Sequence, residues 1–287
     1  MKKFLTILLT LALCLSLGAA AFAVDEGEQR TAVGADITQS QIEDVYRTFG
    51  IERGSVKELT VTNAEERDYL EGLVSESVIG SNSISCIYIK VLPAGSGITV
   101  RSSNINWCTN DMYQAAMLTA GITDAEVIVT APFTVSGTAA LTGIYKAYED
   151  ITGQKLAVEE KEAAAEELVV TATLADSTDE ATALSIINEL KLILDDVATM
   201  SDEELREEIV KIAASYGYTL TDEEIAQIIS LARSFQGLSV EDLQARVASF
   251  QDTVQKLSGA VENVSGFAAK LGQFIRSISE FFSKLFG

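Results

Sequence analysis

The chain of 287 residues contains no histidine, and this limits the chemistry that it could perform. Ser-His-Asp and Cys-His catalysis, imidazole zinc sites and acid–base catalysis by the usual near-neutral side chain all need an imidazole. A reaction centre would have to use hydroxyl, thiol, carboxyl or amine groups instead. The sequence also shows no motif for a nucleotide or a metal ion, so we expect neither a cofactor nor a bound metal.

The best local candidate for a binding site is segment 135–138, a predicted strand-to-helix turn. Its residues Ser136, Gly137 and Thr138 are small or carry hydroxyl groups, and a helix N-terminus offers free N–H groups that favour anions. The segment lacks the lysine and the loop length of a P-loop, and no S-x-x-K spacing supplies a base for a serine nucleophile. We therefore interpret Ser136 as the N-cap of the helix, with an anion or partner site as the alternative.

A second polar cluster lies at the end of the predicted hairpin, in the last part of strand 98–107 and just after it. Oxygen-rich side chains of this kind are ligands that calcium accepts, but the spacing of an EF-hand is absent. The interpretation that we prefer is that they are ordinary turn and cap residues. The cluster consists of Asn104, Asn106, Thr109, Asn110 and Asp111.

Two cysteines, Cys86 and Cys108, remain once the N-terminal leader is set aside. They lie on strands that we expect to be neighbours, so a disulfide is geometrically possible. Two buried thiols that act as small apolar side chains explain the same residues equally well.

Strands and helices alternate in the first half of the chain, which predicts an α/β domain over residues 36–153. The class is α/β or α+β with one mixed sheet. We expect segments 83–92 and 98–107 to form a hairpin across the turn PAGSG. Residues 24–35 are expected to be a mobile N-terminal segment. The predicted strands are 55–62, 83–92, 98–107 and 125–135, the last cut by Pro132.

From Gln154 onward helical patterns replace strands, which predicts an all-α region over residues 154–287. Apolar residues from Leu243 to Leu285 recur in alternating steps of four and three, the heptad pattern of a long helix. We favour a helical bundle within one chain over a coiled-coil dimer, and the oligomeric state stays open.

Residues 1–23 have the pattern of a secretory signal peptide. Lys2 and Lys3 precede a short apolar run, and Ala21 and Ala23 fit the cleavage rule. We therefore expect a secreted protein, extracellular or associated with the cell envelope. The formal net charge of −21 argues against nucleic acid as a partner, because its phosphates would be repelled.

The C-terminal segment 266–287 combines a wide apolar face with a local positive charge. A helix that lies on a membrane surface needs both features, so the segment is a candidate for contact with a membrane or an envelope partner. Docking on its own chain is the other interpretation, because such a face exposed in water would promote aggregation. The residues concerned are Phe267, Lys270, Phe274, Arg276, Phe281, Phe282, Lys284 and Phe286.

Several stretches of the α/β domain carry a resemblance to a known family. IGSNSIS, NINWCT, MYQAAMLTAGI and APFTVSGTAALTGIYKAYE are similar to the pattern of the YpuA-like secreted domain-of-unknown-function family (DUF1002). The resemblance implies an exported protein of Gram-positive-type bacteria, and it brings no catalytic residues with it.

We expect a non-catalytic protein of the cell envelope that acts by binding a partner or a surface. The alternative is a carboxylate-dependent hydrolase that acts on cell-wall polymer, because its paired carboxyl groups can lie far apart in sequence. A deep cleft with two facing Asp or Glu side chains would favour the hydrolase.

Overall fold

The computed structural model describes residues 27–258 of the chain, with side chains up to Ser249. Strands and helices alternate in the first half and helices alone follow, as the sequence predicts. The elements are β1 (Gln29–Gly34), α1 (Gln39–Phe49), β2 (Lys57–Val61), α2 (Asn63–Leu70), α3 (Glu76–Ile79), β3 (Cys86–Val91), β4 (Ile98–Ile105), α4 (Asn110–Thr119), β5 (Ala125–Val135), α5 (Thr138–Thr152), α6 (Val158–Ser177), α7 (Glu180–Leu192), α8 (Leu194–Val197), α9 (Asp202–Ser215), α10 (Asp222–Gln236) and α11 (Val240–Ser258).

The five strands form one mixed sheet in the order β2-β1-β3-β5-β4. Strands β1, β2, β4 and β5 run in one direction, and β3 runs against them, antiparallel to both β1 and β5. The four parallel strands therefore end at the same edge of the sheet, where β3 begins. We call this the carboxyl edge.

The predicted hairpin of β3 and β4 is wrong, because β5 lies between them. β5 is buried on both faces from Val127 to Ala131, whereas β4 alternates buried positions with exposed Thr99 and Arg101. A strand that is apolar on both faces is favoured in the interior of a sheet, whereas a strand with one polar face can form an edge strand. The burial patterns of β4 and β5 therefore explain the strand order β3-β5-β4, which the short turn PAGSG between β3 and β4 does not predict.

The prediction that residues 24–35 form a mobile segment is also wrong for the part that the structure describes. Residues 29–34 form β1, which lies between β2 and β3, and Ala32 and Val33 are buried. The strand is six residues long and starts with polar side chains. That length is too short for a clear alternation to appear in the sequence.

Helices cover both faces of the sheet. On one face, α1 packs Tyr46 and Phe49 against Tyr88 and its neighbours. On the other face, α4 and α5 pack against the sheet in a larger core that includes Met117 and Ile144.

Helix α6 joins the α/β part to the helical region and is buried on all sides from Ala163 to Ala172. Leu168 and Ala172 belong to the core beneath the sheet, while Val170 and Leu174 belong to the core of the helical region. Because one helix contributes to both cores, the two parts share a continuous apolar contact at α6.

A buried ion pair lies at this junction. Glu167 of α6 pairs with Lys191 of α7, and both side chains are only 1% exposed. Thr119 of α4 also donates to the Glu167 carboxylate, and the Lys191 ammonium lies 5.4 Å from the centre of the Phe235 ring. Burial lowers the pKa of Lys191, although the charge of Glu167 and its hydrogen bond act to raise it.

The helix starts follow the sequence closely. A side chain at the N-cap and one three residues later exchange hydrogen bonds with each other's backbone, which satisfies N–H groups that a helix leaves free. These capping boxes are Thr38–Gln41, Thr62–Glu65, Ser201–Glu204 and Thr221–Glu224.

Helix α11 begins the predicted heptad seam, and its Leu243 and Val247 are buried in the core of the helical region. The signal-peptide residues 1–23 and the candidate contact residues from Phe267 to Phe286 lie outside the described residues. Between residues 27 and 258, the structure has no helix of the length and apolarity that crossing a membrane requires.

We predict that replacing Lys191 by methionine lowers the free energy of unfolding by about 3–5 kcal/mol, because it leaves the Glu167 carboxylate buried without its cation. The double variant Glu167→Gln/Lys191→Met should recover most of that loss. Chemical denaturation followed by circular dichroism measures both.

The control is Arg206→Gln, which removes the exposed ion pair with Asp222 and should cost less than about 0.5 kcal/mol. A Lys191→Met variant as stable as this control would show that the buried pair does not hold the junction.

Candidate functional site

A cleft opens at the carboxyl edge of the sheet, between the end of β5, helix α2 and the segment that precedes β3. Its cavity volume is about 380 Å³. Crevices outside the carboxyl ends of parallel strands are the usual place for ligands in open α/β sheets. The wall consists of Glu66, Ser77, Val78, Ile79, Gly80, Ser81, Asn82, Ile84, Ser85, Phe133, Val135, Ser136, Thr138 and Ala139.

The predicted turn at Ser136, Gly137 and Thr138 contributes Ser136 and Thr138 to this wall, and hydrogen bonds hold it in place. The Tyr113 hydroxyl donates to the carbonyl of Gly137 at 2.6 Å, and the Cys108 N–H donates to the carbonyl of Ser136 at 3.0 Å. Gly137 has a φ of +99°, and a Cβ atom built there would lie 2.4 Å from the Tyr113 hydroxyl oxygen. Only glycine fits both the backbone conformation and the available space.

The interpretation of Ser136 as the N-cap of α5 is wrong, because Gly137 occupies the cap position. The Ser136 hydroxyl instead donates to the carbonyl of Val78 in α3 at 3.0 Å and lies 3.2 Å from the Thr138 hydroxyl. Ser136 therefore ties the turn to the opposite wall of the cleft.

The charged group in the wall of the cleft is Glu66 of α2. Its side chain is 1% exposed, and one carboxylate oxygen accepts a hydrogen bond of 2.5 Å from Thr138, the first residue of α5. The other oxygen accepts a longer contact of 3.4 Å from the Asn63 amide. Burial raises the pKa of Glu66 to about 7, against the lowering effects of both hydrogen bonds and of the Arg67 charge.

The neighbours of this carboxyl group on α2 are engaged elsewhere. Glu65 pairs with Lys146 of α5 at 2.6 Å. Arg67 pairs with Glu76 at 2.7 Å and donates to the carbonyl of Gly80 at 2.9 Å. The Arg67 contacts fix α2 relative to the segment before β3, so they shape the cleft.

An aromatic side chain, Phe133, also lines the cleft and is 49% exposed. It follows Pro132 in the last part of β5, beyond the final pair that β5 makes with β3 at Thr130. The neighbouring strand β4 is irregular there, so the proline interrupts no regular pairing and β5 continues to Val135.

The polar cluster Asn104, Asn106, Thr109, Asn110 and Asp111 lies at the same edge but forms joints between elements. Asn104 has a φ of +58° at the irregularity of β4, and its amide donates to the carbonyl of Ala131 at 2.7 Å. The Asn106 N–H donates to Val135, and Thr109 caps α4. Asp111 lies in the first turn of α4, where burial raises its pKa to about 6. Within residues 27–258 no group of three acidic or cysteine side chains is arranged to hold a metal ion.

The disulfide considered for Cys86 and Cys108 does not form, and both thiols are free and buried. Cys86 belongs to the core beneath α1, whereas Cys108 belongs to the core on the opposite face of the sheet. The sheet separates the two sulfur atoms. Burial raises the pKa of each thiol to about 12.

A larger cavity of about 670 Å³ lies at the opposite edge of the sheet. Several of its charged groups have partners: Glu160 pairs with Arg246 at 2.7 Å, and Asp124 accepts from the N–H of Gly97 at 2.9 Å. One wall is α11, whose side chains are described only to Ser249. The cleft at the carboxyl edge is therefore the better-defined candidate.

Glu66 is the site residue that the sequence analysis missed. It precedes the inward-facing Tyr69 and Leu70 by three and four residues, which places it on the buried face of α2. An acidic residue on the apolar face of a predicted helix is the signal that could have revealed it.

The comparisons with known proteins agree on one family. The model of a family described as "Protein of unknown function (DUF1002)" matches residues 33–257. The chain is also 32% identical, over 258 residues, to a Bacillus subtilis (strain 168) protein named "Uncharacterized protein YpuA", with 89% of this chain and 86% of that protein covered. No solved structure matches the chain. The family resemblance predicted from the sequence is confirmed.

We predict that Gly137→Ala destabilises the protein more than Gly153→Ala. Both glycines have positive φ, so each alanine should cost about 1–2 kcal/mol in backbone strain. Only at position 137 does the added Cβ meet other atoms, which should add about 1–3 kcal/mol. Equal losses in urea denaturation would contradict the close packing of the turn.

We also predict that Glu66 makes the protein less stable as pH rises. The native state binds this proton more tightly than an unfolded carboxyl with a pKa of 4.5, so the contribution is full below about pH 4.5 and lost by about pH 7. The raised pKa of Asp111 lowers stability with rising pH in the same way. The variant Glu66→Gln therefore separates the contribution of Glu66 from that of Asp111. The difference in the free energy of unfolding, variant minus natural protein, should increase by roughly 2–3 kcal/mol when the pH is raised from 5 to 8. Parallel pH curves for the two proteins would contradict this role.

Proposed function

We propose that this chain, which belongs to the DUF1002 family, is an exported protein of the cell envelope that binds a ligand or partner in the cleft at the carboxyl edge. The signal-peptide pattern of residues 1–23 supports export. The observation that carries the binding role is a preformed cleft whose wall includes a half-exposed aromatic ring and a buried carboxyl group.

The cleft has the features of a binding site. Its wall combines apolar side chains with a carboxyl group, an amide and several hydroxyl groups around one space, and such polar groups can fix the orientation of a ligand. The turn at Gly137 is fixed by two hydrogen bonds, and Ser136 bridges to α3, so little ordering is needed when a ligand enters. A rigid site of this kind favours selective binding.

Binding is favoured over hydrolysis by the number of carboxyl groups in the wall. A glycoside hydrolase uses two carboxyl groups about 5–10 Å apart, one as acid and one as base or nucleophile. The described residues that line the cleft supply one carboxyl group, Glu66. Its raised pKa, about 7, would suit a general acid, and this keeps a carboxylate-dependent hydrolase acting on cell-wall polymer as the second candidate.

The C-terminal segment remains a second possible contact with an envelope partner or a membrane surface. Its aromatic and basic residues from Phe267 to Phe286 support this proposal through their composition alone, since they lie outside the described residues.

We predict that Phe133→Ala weakens retention of the purified full chain on an envelope fraction of the producing cell by about tenfold or more, because an aromatic side chain at a binding site often dominates affinity. Co-sedimentation over a range of protein concentrations measures the change. Half of the Phe133 side chain is exposed, so the variant should fold normally.

The matched control is Val210→Ala on α9, an exposed apolar side chain of the helical region with 43% of its surface accessible. It should bind as the natural protein does. If Phe133→Ala and Val210→Ala were retained equally, the cleft would not be the binding site.

A further inference from the structure

We infer that the cleft at the carboxyl edge binds a primary alkylammonium group, with its charge on Glu66 and its alkyl chain against Phe133. This inference rests on the proposed function and names the chemical class of the ligand. The amine of a lysine-like side chain or of another small aliphatic amine has the required form.

The first argument is that Glu66 is buried without an ion-pair partner. In the part of the chain that the structure describes, no lysine or arginine nitrogen forms an ion pair with its carboxylate, although fifteen other ion pairs are present there. Buried carboxylates are normally paired, because an isolated charge in a poorly solvated site is costly. The contrast within this protein is Glu167, which is equally buried and has Lys191 beside it.

The second argument is that Glu66 has unused capacity to accept hydrogen bonds. A carboxylate offers about four acceptor positions. Thr138 fills one at 2.5 Å, and the Asn63 amide makes one long contact at 3.4 Å. An ammonium group has three N–H donors and no acceptor, so it matches what the carboxylate lacks.

The third argument concerns the rest of the wall. The described residues that line the cleft include no lysine or arginine, and the nearby Arg67 is already committed to Glu76 and to the Gly80 carbonyl. The one cation that acts on Glu66, Arg67, does so through its charge alone and lies outside the wall of the cleft, so the position beside the carboxylate is left to a ligand. The half-exposed ring of Phe133 offers apolar surface to an alkyl chain and attracts a cation through its face.

The negative charges of Glu66 and of the whole chain disfavour an anionic ligand in this cleft. The N-terminus of α5 would attract an anion through a partial charge of about half a unit. Glu66 already accepts from Thr138 at that terminus, and its full negative charge would repel a second anion. The net charge of −21 on the whole chain acts in the same direction over longer distances.

The inference has a defined pH dependence, because Glu66 must be ionised to bind a cation. The groups that face it are Thr138 from α5, Asn63 and Arg67 from its own helix, and Cys108 and Tyr113 from the side of α4. Burial raises the pKa of Cys108 to about 12 and that of Tyr113 well above its ordinary value, so both stay neutral while Glu66 titrates. Binding should weaken as pH falls below about 7 and should release a proton near neutral pH.

The experiment compares three probes of similar size, n-butylammonium, n-butanol and butyrate, by isothermal titration calorimetry on the full chain. We expect saturable binding of n-butylammonium in about the millimolar range at pH 8, since so small a ligand has few contacts, and weaker binding of the other two. Glu66→Gln should reduce the affinity about tenfold or more and abolish both the pH dependence and the proton release.

Two variants make the result specific. Glu65→Gln removes a neighbouring carboxylate that is already paired with Lys146, and it should leave n-butylammonium binding unchanged. Phe133→Leu keeps an apolar side chain but removes the ring, and it should weaken the ammonium more than the alcohol. Circular dichroism confirms that each variant is folded.

Equal affinity for n-butanol and n-butylammonium would overturn the inference, as would a Glu66→Gln variant that binds the ammonium as tightly as the natural protein. The absence of saturable binding by n-butylammonium would overturn it too. If retention on the envelope fraction still depended on Phe133 in these cases, the cleft would remain a binding site for a ligand of another class. If that dependence were also absent, the proposed function itself would fail.

Discussion

The ion pair between Glu167 and Lys191 occupies the point where the two halves of this protein meet. Glu167 lies in the part of α6, from Ala163 to Ala172, that is buried on all sides, and both charges are removed from water. An ion pair in such a place needs good geometry and further hydrogen bonds, because desolvation opposes it. Thr119 supplies one of those bonds from the α/β side, and Phe235 faces the ammonium from the helical side. Residues of four helices, α4, α6, α7 and α10, therefore contact one another at this ion pair.

The candidate cleft depends on the same junction. Helix α2, which carries Glu66, packs against both α5 and α6. Its Tyr69 meets Tyr145 of α5 edge to face at 5.8 Å, and Lys161 of α6 lies 5.7 Å from the centre of the Tyr69 ring. The position of the Glu66 carboxylate is therefore set by the α/β core and by the helix that anchors the helical region.

Local signals in the sequence predicted the helices well and the sheet order poorly. Capping boxes such as Thr62–Glu65 involve residues three apart, so the helix starts could be read directly. The placement of β5 between β3 and β4 depends on which strands are buried on both faces, a property of the whole sheet. β1 escaped notice because it is short and partly polar. The turn at Ser136 was found from its residue types, but its partner Glu66, seventy residues earlier, was not, because nothing local links the two.

The two free thiols bear on how such a chain could mature in an oxidising compartment. Because burial raises the pKa of each thiol to about 12, both are almost entirely protonated at neutral pH, and the thiolate is the species that attacks a disulfide. Once folded, Cys86 and Cys108 would be poor partners for mixed disulfides with oxidoreductases or small oxidants, because each is also shielded within a separate core. The folded state would need neither an oxidant to complete it nor a reductant to preserve it. Oxidising and reducing surroundings would then leave the protein in the same folded conformation.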